Sequence, residues 1–164
     1  VARVVHAVRQ IGVDQEFLGE KHPSDFVKRG WLRAYATNSS LRAAFWMRLS
    51  AETGLVGHVA RSHLLRVFGC DVSEGAVIEG ALELPHPTGI VIGRGVVLRH
   101  GVRIYQGVTV GRGRGGYPTI ETGATLLPNC VVAGDVVVGS NATVGALALC
   151  KNDVPPATVF APNT

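Results

Sequence analysis

Along the second half of the chain an aliphatic residue returns every six positions. Val72, Ile78 and Leu84 lead to Ile92, Leu98, Ile104 and Val110, and after a Gly-rich interruption to Ile120, Leu126, Val132, Val138 and Val144. A helix repeats its apolar face at about 3.6 residues and a half-buried strand at about two, so a sustained period of six predicts a solenoid of short, similarly shaped turns, each a brief strand plus a corner. The fourth residue after most anchors is apolar or small, as in Ala76, Val96, Val102, Val108, Ala124 and Cys130, which predicts a second inward column. Gly93, Gly111, Gly139 and Gly145 directly follow anchors and suit tight corners, where φ is positive or backbones pack closely.

The first 70 residues follow a helical period instead. An imperfect apolar stripe runs from Val1 to Leu18, and Ser24 can cap a helix from Asp25 to about Ala36. A third helix is predicted from Ser39 or Ser40 to before Gly54, and a fourth from Leu55 to Phe68, stopped by Gly69. The predicted organisation is an N-terminal helical cap over residues 1–70 and a β-solenoid over residues 71–164. The cap is expected to cover an open solenoid end, which otherwise exposes unpaired strand edges, and to help subunits associate.

Composition agrees with a narrow apolar interior: 46% of the 164 residues are hydrophobic, only 6% are aromatic, and 21 are Gly. The net charge of +4 comes from scattered cations without interleaved aromatics, so a nucleic-acid partner is not predicted. No apolar run is long enough to span a bilayer and no signal-peptide pattern opens the chain, so a cytoplasmic location is expected. Cys70, Cys130 and Cys150 lack CxxC spacing and are expected to be buried thiols. His6, His22, His58 and His63 in the helical part have neither ligand spacing nor a carboxylate partner in the sequence and read as surface or interface residues.

The interruptions of the repeat carry the chemistry. Two extra residues fall in Leu84-Pro85-His86-Pro87-Thr88-Gly89-Ile90-Val91, and a longer Gly-rich loop, Gly111-Arg112-Gly113-Arg114-Gly115-Gly116-Tyr117-Pro118, separates Val110 from Ile120. Loops that leave a regular wall are where binding and catalytic groups collect. The second loop lacks the strand-turn-helix context and the Lys-Ser/Thr of a nucleotide cradle. Those landmarks, with Gly69-Cys70-Asp71-Val72, Ile104-Tyr105-Gln106-Gly107-Val108-Thr109 and Asp153-Val154-Pro155-Pro156, resemble the serine acetyltransferase branch of the hexapeptide-repeat acyltransferases. The resemblance covers the repeats and reaches back to about Ala43.

The resemblance implies a left-handed parallel β-helix, a homotrimer that can pair into a dimer of trimers, and acetyl-CoA as co-substrate without a metal. It implies a catalytic dyad of Asp71 and His86, fifteen residues apart. With eighteen residues to a coil, that spacing puts His86 one rung up from Asp71 and three positions back. Asp71 would orient the ring and His86 would take the proton of a substrate hydroxyl. Backbone N–H of Gly107 or Gly111 is the expected oxyanion donor. The coenzyme is expected along Ala133, Gly134, Gly145 and Ala146 in a groove between subunits, with Lys151, Arg112 or Arg114 either meeting its phosphates or standing as solvated cations. The family often has a Lys where this chain has Thr143. Neither Cys130 nor Cys150 has a basic neighbour set to depress its pKa, so neither is expected to act as a nucleophile.

Around the acceptor this sequence departs from the family's pattern. The Asp that precedes the family's catalytic His is replaced by Pro85, and the Arg-His-Pro that ends its loop by Gly116-Tyr117-Pro118. An amino-acid zwitterion would lose both charge partners, so a neutral sugar, polyol or secondary-metabolite hydroxyl in a pocket of Pro85, Pro87, Tyr105 and Tyr117 is the expected acceptor, with serine as the alternative. Tyr117 either contacts that acceptor or packs the loop on the wall. His100, before Gly101, reads as a turn residue and a reserve base. The longer tail through which the family's cysteine end-product control works has no counterpart after Pro156, so that control is not expected. Two rivals stand beside the enzyme: a zinc site of the carbonic-anhydrase type, short of ligands with only His86 and His100 in the repeats, and a noncatalytic scaffold.

Overall fold

The computed structural model describes residues 13–14 and 35–161. Val13 and Asp14, and Tyr35 to Thr37, are helical; the rest of the first two predicted helices, with His6 and His22, lies outside the described residues. Helix α1 spans Ser39–Ala51, and Asn38 caps it by accepting the Leu41 N–H at 3.1 Å. Helix α2 spans Leu55–Phe68 and ends at Gly69, whose left-handed φ of 62° lets its N–H reach the Leu65 carbonyl. The two helices press together where Gly57 lies on the Glu52 carbonyl, since a Cβ there would come within 1.9 Å of it. His63 stacks on Trp46 with ring centroids 4.1 Å apart.

From Asp71 onward the chain is a three-sided parallel β-helix. Numbered along the chain, the first sheet holds β1 (Asp71–Val72), β4 (Val91–Ile92), β7 (Thr109–Gly111), β10 (Val131–Ala133) and β13 (Leu149–Cys150). The second holds β2 (Val77–Ile78), β5 (Val97–Leu98), β8 (Thr119–Ile120) and β11 (Val137–Val138). The third holds β3 (Leu82–Glu83), β6 (Val102–Ile104), β9 (Thr125–Leu126), β12 (Thr143–Val144) and β14 (Val159–Phe160). This is the left-handed β-helix with an N-terminal helical region that the six-residue period and the resemblance lead one to expect.

The anchors from Val72 to Val144 are buried apart from the half-buried Ile78, and the second inward column is buried beside them. Ala43, Ala44, Met47, Leu64 and Phe68 join the same cluster, so the helices and the first coil share one core. Burying each such aliphatic side chain contributes about 1.5–3 kcal/mol. Among the described residues no helix is long and apolar enough to cross a membrane.

Register shows where the regular coil is broken. Strand partners are 18 positions apart from β4 to β7 (Val91↔Thr109) and from β10 to β13 (Val131↔Leu149). They are 20 apart from β1 to β4 (Asp71↔Val91) and 22 apart from β7 to β10 (Thr109↔Val131), so both interruptions are absorbed as corners without shifting any inward column. None of the glycines after the anchors has a positive φ; Gly93 and Gly139 serve close approach, whereas a Cβ on Gly111 would meet nothing within 4 Å. Gly93 faces the Gly111 Cα and Gly139 the Pro156 backbone, while the left-handed residues sit elsewhere in the corners.

Candidate active site

At the corner between the third and first sheets, one residue per coil is left-handed: Gly69, Gly89, Gly107, Asn129 and Leu147. The last four each stack on the layer before through a backbone bond, Gly89 to Phe68 at the end of α2, Gly107 to Thr88, Asn129 to Gln106 and Leu147 to Pro128, at 2.9 to 3.2 Å. His86 occupies this corner where the two extra residues widen it. Pro85 beside it is half-buried, Pro87 is buried, and the imidazole itself is exposed. The turn is closed by the Thr88 N–H on the His86 carbonyl at 2.8 Å. An open cavity here is lined by His86, Thr88, Gly89, Gln106, Gly107 and Asn129. The Tyr105 ring stands 6.3 Å from the His86 ring, centroid to centroid.

Asp71 opens β1 one coil below. The stacking expected from an eighteen-residue coil is corrected by the register, because this coil has 20 residues and the partner of Asp71 is Val91. His86 therefore precedes that strand in the corner and does not lie on the face Asp71 occupies. Nor do the two side chains hydrogen-bond within this chain. Both carboxylate oxygens of Asp71 instead accept from Arg61 of α2, Oδ1 from Nε at 2.6 Å and Oδ2 from an Nη at 2.9 Å.

The expected oxyanion donor changes for a similar reason. The Gly107 N–H is already donated to the Thr88 carbonyl at 2.9 Å, so it is not free to receive an oxyanion. Gly111 lies in the ladder opposite Ala133. Gln106 was not singled out by the repeat, yet it lines the His86 cavity with a buried Oε1 that lacks a hydrogen-bond partner. Its signal was the Tyr105-Gln106-Gly107 landmark, a polar residue between two positions already marked.

The Gly-rich loop folds back on its own wall. The Arg114 carbonyl accepts the Asp135 N–H at 3.2 Å, and a Cβ on Gly113 would lie 2.6 Å from the Gly134 nitrogen, so the loop covers the Ala133–Gly134 turn. Tyr117 packs over Gly95 and Gly93, at the corner between the first and second sheets. Within one chain that is a different corner from His86, so the packing role, one of the two expected for Tyr117, is the one seen. Arg112, Arg114 and Lys151 are exposed, as is Ala146, and the Gly145 N–H is donated to Phe160.

His100 accepts the Ala81 N–H on Nδ1 at 3.2 Å, in keeping with a turn residue. All three cysteines are buried free thiols. Burial, with the nearby Cys150, pushes the Cys130 thiol up to about 12, far from nucleophile chemistry. Among the described residues no group of three or more His, Cys, Asp or Glu could hold a metal ion.

No protein-family model matches the chain. Among curated proteins, serine acetyltransferase 2 of Arabidopsis thaliana is 37% identical over 114 residues, which is 66% of this chain and 35% of that protein. The chain spans between a third and two fifths of the length of the first relatives it matches. A Neisseria gonorrhoeae serine acetyltransferase solved in complex with serine is 26% identical, with a TM-score of 0.78 over 94% of this chain and 66% of that one. A serine acetyltransferase solved with CoA shares the fold at a TM-score of 0.81 and 23% identity, over 94% of this chain and 66% of that one. Sequence and fold together place the chain among the hexapeptide-repeat acyltransferases, on the serine acetyltransferase-like branch.

Proposed function

We propose that the chain is the catalytic part of an acetyl-CoA-dependent O-acetyltransferase with His86 as general base. The observation that carries this reading is the exposed imidazole, in an open cavity at the widened corner of a β-helix whose relatives are serine acetyltransferases. Those relatives also support serine as the acceptor, ahead of the neutral alcohol that Pro85 and the Gly116-Tyr117-Pro118 loop suggest.

In this mechanism a nitrogen of His86 removes the proton from the acceptor hydroxyl, and the oxygen adds to the thioester carbonyl. The tetrahedral intermediate collapses with loss of the CoA thiolate, which recovers the proton from the imidazolium. A thioester is already activated, so the protein's task is to align two substrates and move one proton. Asp71 is the carboxylate that the dyad reading assigns to orient the base; in this chain both its oxygens are held by Arg61. Gln106, with its amide on the same cavity, is the polar side chain placed to meet the acceptor or the acyl oxygen.

The coenzyme is assigned to Gly145 and Ala146 at the third-to-first corner, with Lys151 near its phosphates, in a groove that a second subunit of a homotrimer completes; Ala133 and Gly134, the other expected contacts, lie under the Gly-rich loop at the next corner. The helical segment up to residue 70 acts as the cap.

The test is thiol release from acetyl-CoA with L-serine, homoserine and several sugars, comparing the parent with His86→Ala. Turnover on serine that His86→Ala abolishes supports the proposal. Turnover on a sugar alone moves the acceptor back to a neutral alcohol, and an absence of both turnover and acetyl-CoA binding leaves a scaffold.

A further inference from the structure

We propose that Gln106 sets acceptor specificity, its side-chain oxygen receiving an ammonium group on the carbon next to the one whose hydroxyl faces His86. The acceptor class that fits is a vicinal amino alcohol. The inference rests on the reading of His86 as general base and of serine as acceptor, and assigns the ammonium contact within that site.

The wall of the His86 cavity has few oxygens left to accept a hydrogen bond. Its backbone carbonyls are engaged: His86 accepts the Thr88 N–H at 2.8 Å, Thr88 the Gly107 N–H at 2.9 Å, and Gln106 the Asn129 N–H at 3.0 Å. Asn129 holds its Oδ1 over Gly107. Gln106 lines the same cavity as His86, and its Oε1 is buried without a hydrogen-bond partner among the described residues. A buried acceptor in that state is destabilising until a donor reaches it.

The repeat puts the two side chains together. Gln106 stands eighteen residues after Thr88, in the register that pairs Val91 with Thr109, so it lies one coil, about 4.8 Å, beyond Thr88. His86 and Gln106 therefore line one cavity from consecutive coils.

Chemistry selects the ligand group. A carboxamide oxygen takes an N–H or O–H and has nothing to offer a carboxylate. The cavity's other polar side chains, Thr88, Gln106 and Asn129, are all neutral, and Pro85 stands where the resemblance implies an Asp. With the hydroxyl of serine given to His86, the donor that remains is the ammonium on the adjacent carbon, and a hydrogen bond from a charged donor is stronger than one from a neutral donor. The half-buried Gln106 side chain can meet it by turning its terminal amide, whose torsion is broad.

The experiment compares the parent with Gln106→Ala and Gln106→Glu on two acceptors, L-serine and 3-hydroxypropionate, which is serine without its amine. In the parent, loss of the amine should lower kcat/KM by about 10- to 100-fold, mainly through KM. In Gln106→Ala that difference should largely collapse, because the variant loses affinity for serine and treats 3-hydroxypropionate as the parent does. Gln106→Glu, an isostere with a charged oxygen, should keep KM for serine at or below the parent's and widen the preference for serine. Calorimetric titration with CoA, unchanged in both variants, shows that they are folded. The Gln106→Ala comparison decides the matter alone where the buried charge of Gln106→Glu prevents folding.

Equal losses on both acceptors in Gln106→Ala overturn the proposal and leave Gln106 a structural residue of the corner. A fall in kcat on both acceptors in Gln106→Glu, with KM unchanged, also overturns it and makes the side-chain Nε2 a donor to the acyl oxygen. The underlying reading fails in a different place: a parent that does not acetylate serine removes the acceptor, and a His86→Ala protein with parental turnover removes the base. Either result takes this inference with it, whatever the Gln106 variants do.

Discussion

The side-chain oxygen of Asn129 lies over Gly107 so closely that a methyl group on Gly107 would come within 2.1 Å of it. Both residues are left-handed, at φ 59° and 68°, and both line the cavity that His86 faces. Gly107→Ala therefore combines αL strain of about 1–2 kcal/mol with a steric clash. Chemical denaturation should show Gly107→Ala destabilised by more than Asn129→Gly. The double variant should recover the clash but not the backbone strain. Simple additivity of the two changes would mean that the side chain moves aside without cost.

His86→Ala is expected to lower turnover by about 100- to 10,000-fold, the usual contribution of a general base. Because the imidazole is exposed, the melting temperature should stay near the parent's. Coupled thiol-release assays and thermal scans on the same preparations check both halves.

Asp14 and Arg48 form a buried ion pair, with the carboxylate fully buried and the Arg side chain 5% exposed. Asp14 also accepts the Leu82 N–H at 2.9 Å, while Arg48 donates to the Gly80 carbonyl at 2.6 Å. The pair thereby ties the N-terminal segment and α1 to the first coil. Removing one partner leaves a buried charge uncompensated, so Asp14→Ala should cost about 3–5 kcal/mol in a denaturant titration. Asp14→Asn, which keeps an acceptor for Leu82, should cost less.

Cys130 sets a pH dependence in the alkaline range. Its thiol is lifted from 9.0 to about 12 by burial, so between those values the unfolded chain loses a proton that the folded chain keeps. The folded state then holds more protons, and its stability falls as pH rises through that window, by about 1.4 kcal/mol per pH unit for one such group. Denaturation midpoints followed above pH 9 should decline less steeply in Cys130→Ala than in the parent. In the folded parent the thiol should resist iodoacetamide at pH 8 and react once the protein is unfolded.

The repeat made most of the fold legible. A six-residue period buried on one side of a short strand has few solutions, and the anchors, the second inward column and the stop at Gly69 all fall where the pattern places them. The interruptions also marked the chemistry, since the cavity opens at the corner that Pro85-His86-Pro87 widens. Less legible were the directions of side chains at that corner, which depend on contacts between coils 18 to 22 residues apart.

By itself, then, the sequence determined the β-helix, its inward columns, the helical segment that packs on its first coil and the position of His86, because hydrophobic burial at a fixed period depends only on residue order. Only the tertiary structure decided that Asp71 is held by Arg61, that the Gly107 N–H is consumed by the Thr88 carbonyl, that Asn129 roofs Gly107, and that Tyr117 lies on Gly95 instead of beside His86. Each of these is a through-space choice among partners of similar chemistry. The stacking of one coil on the next, with two and then four extra residues taken up in the corners, determines which partner is within reach.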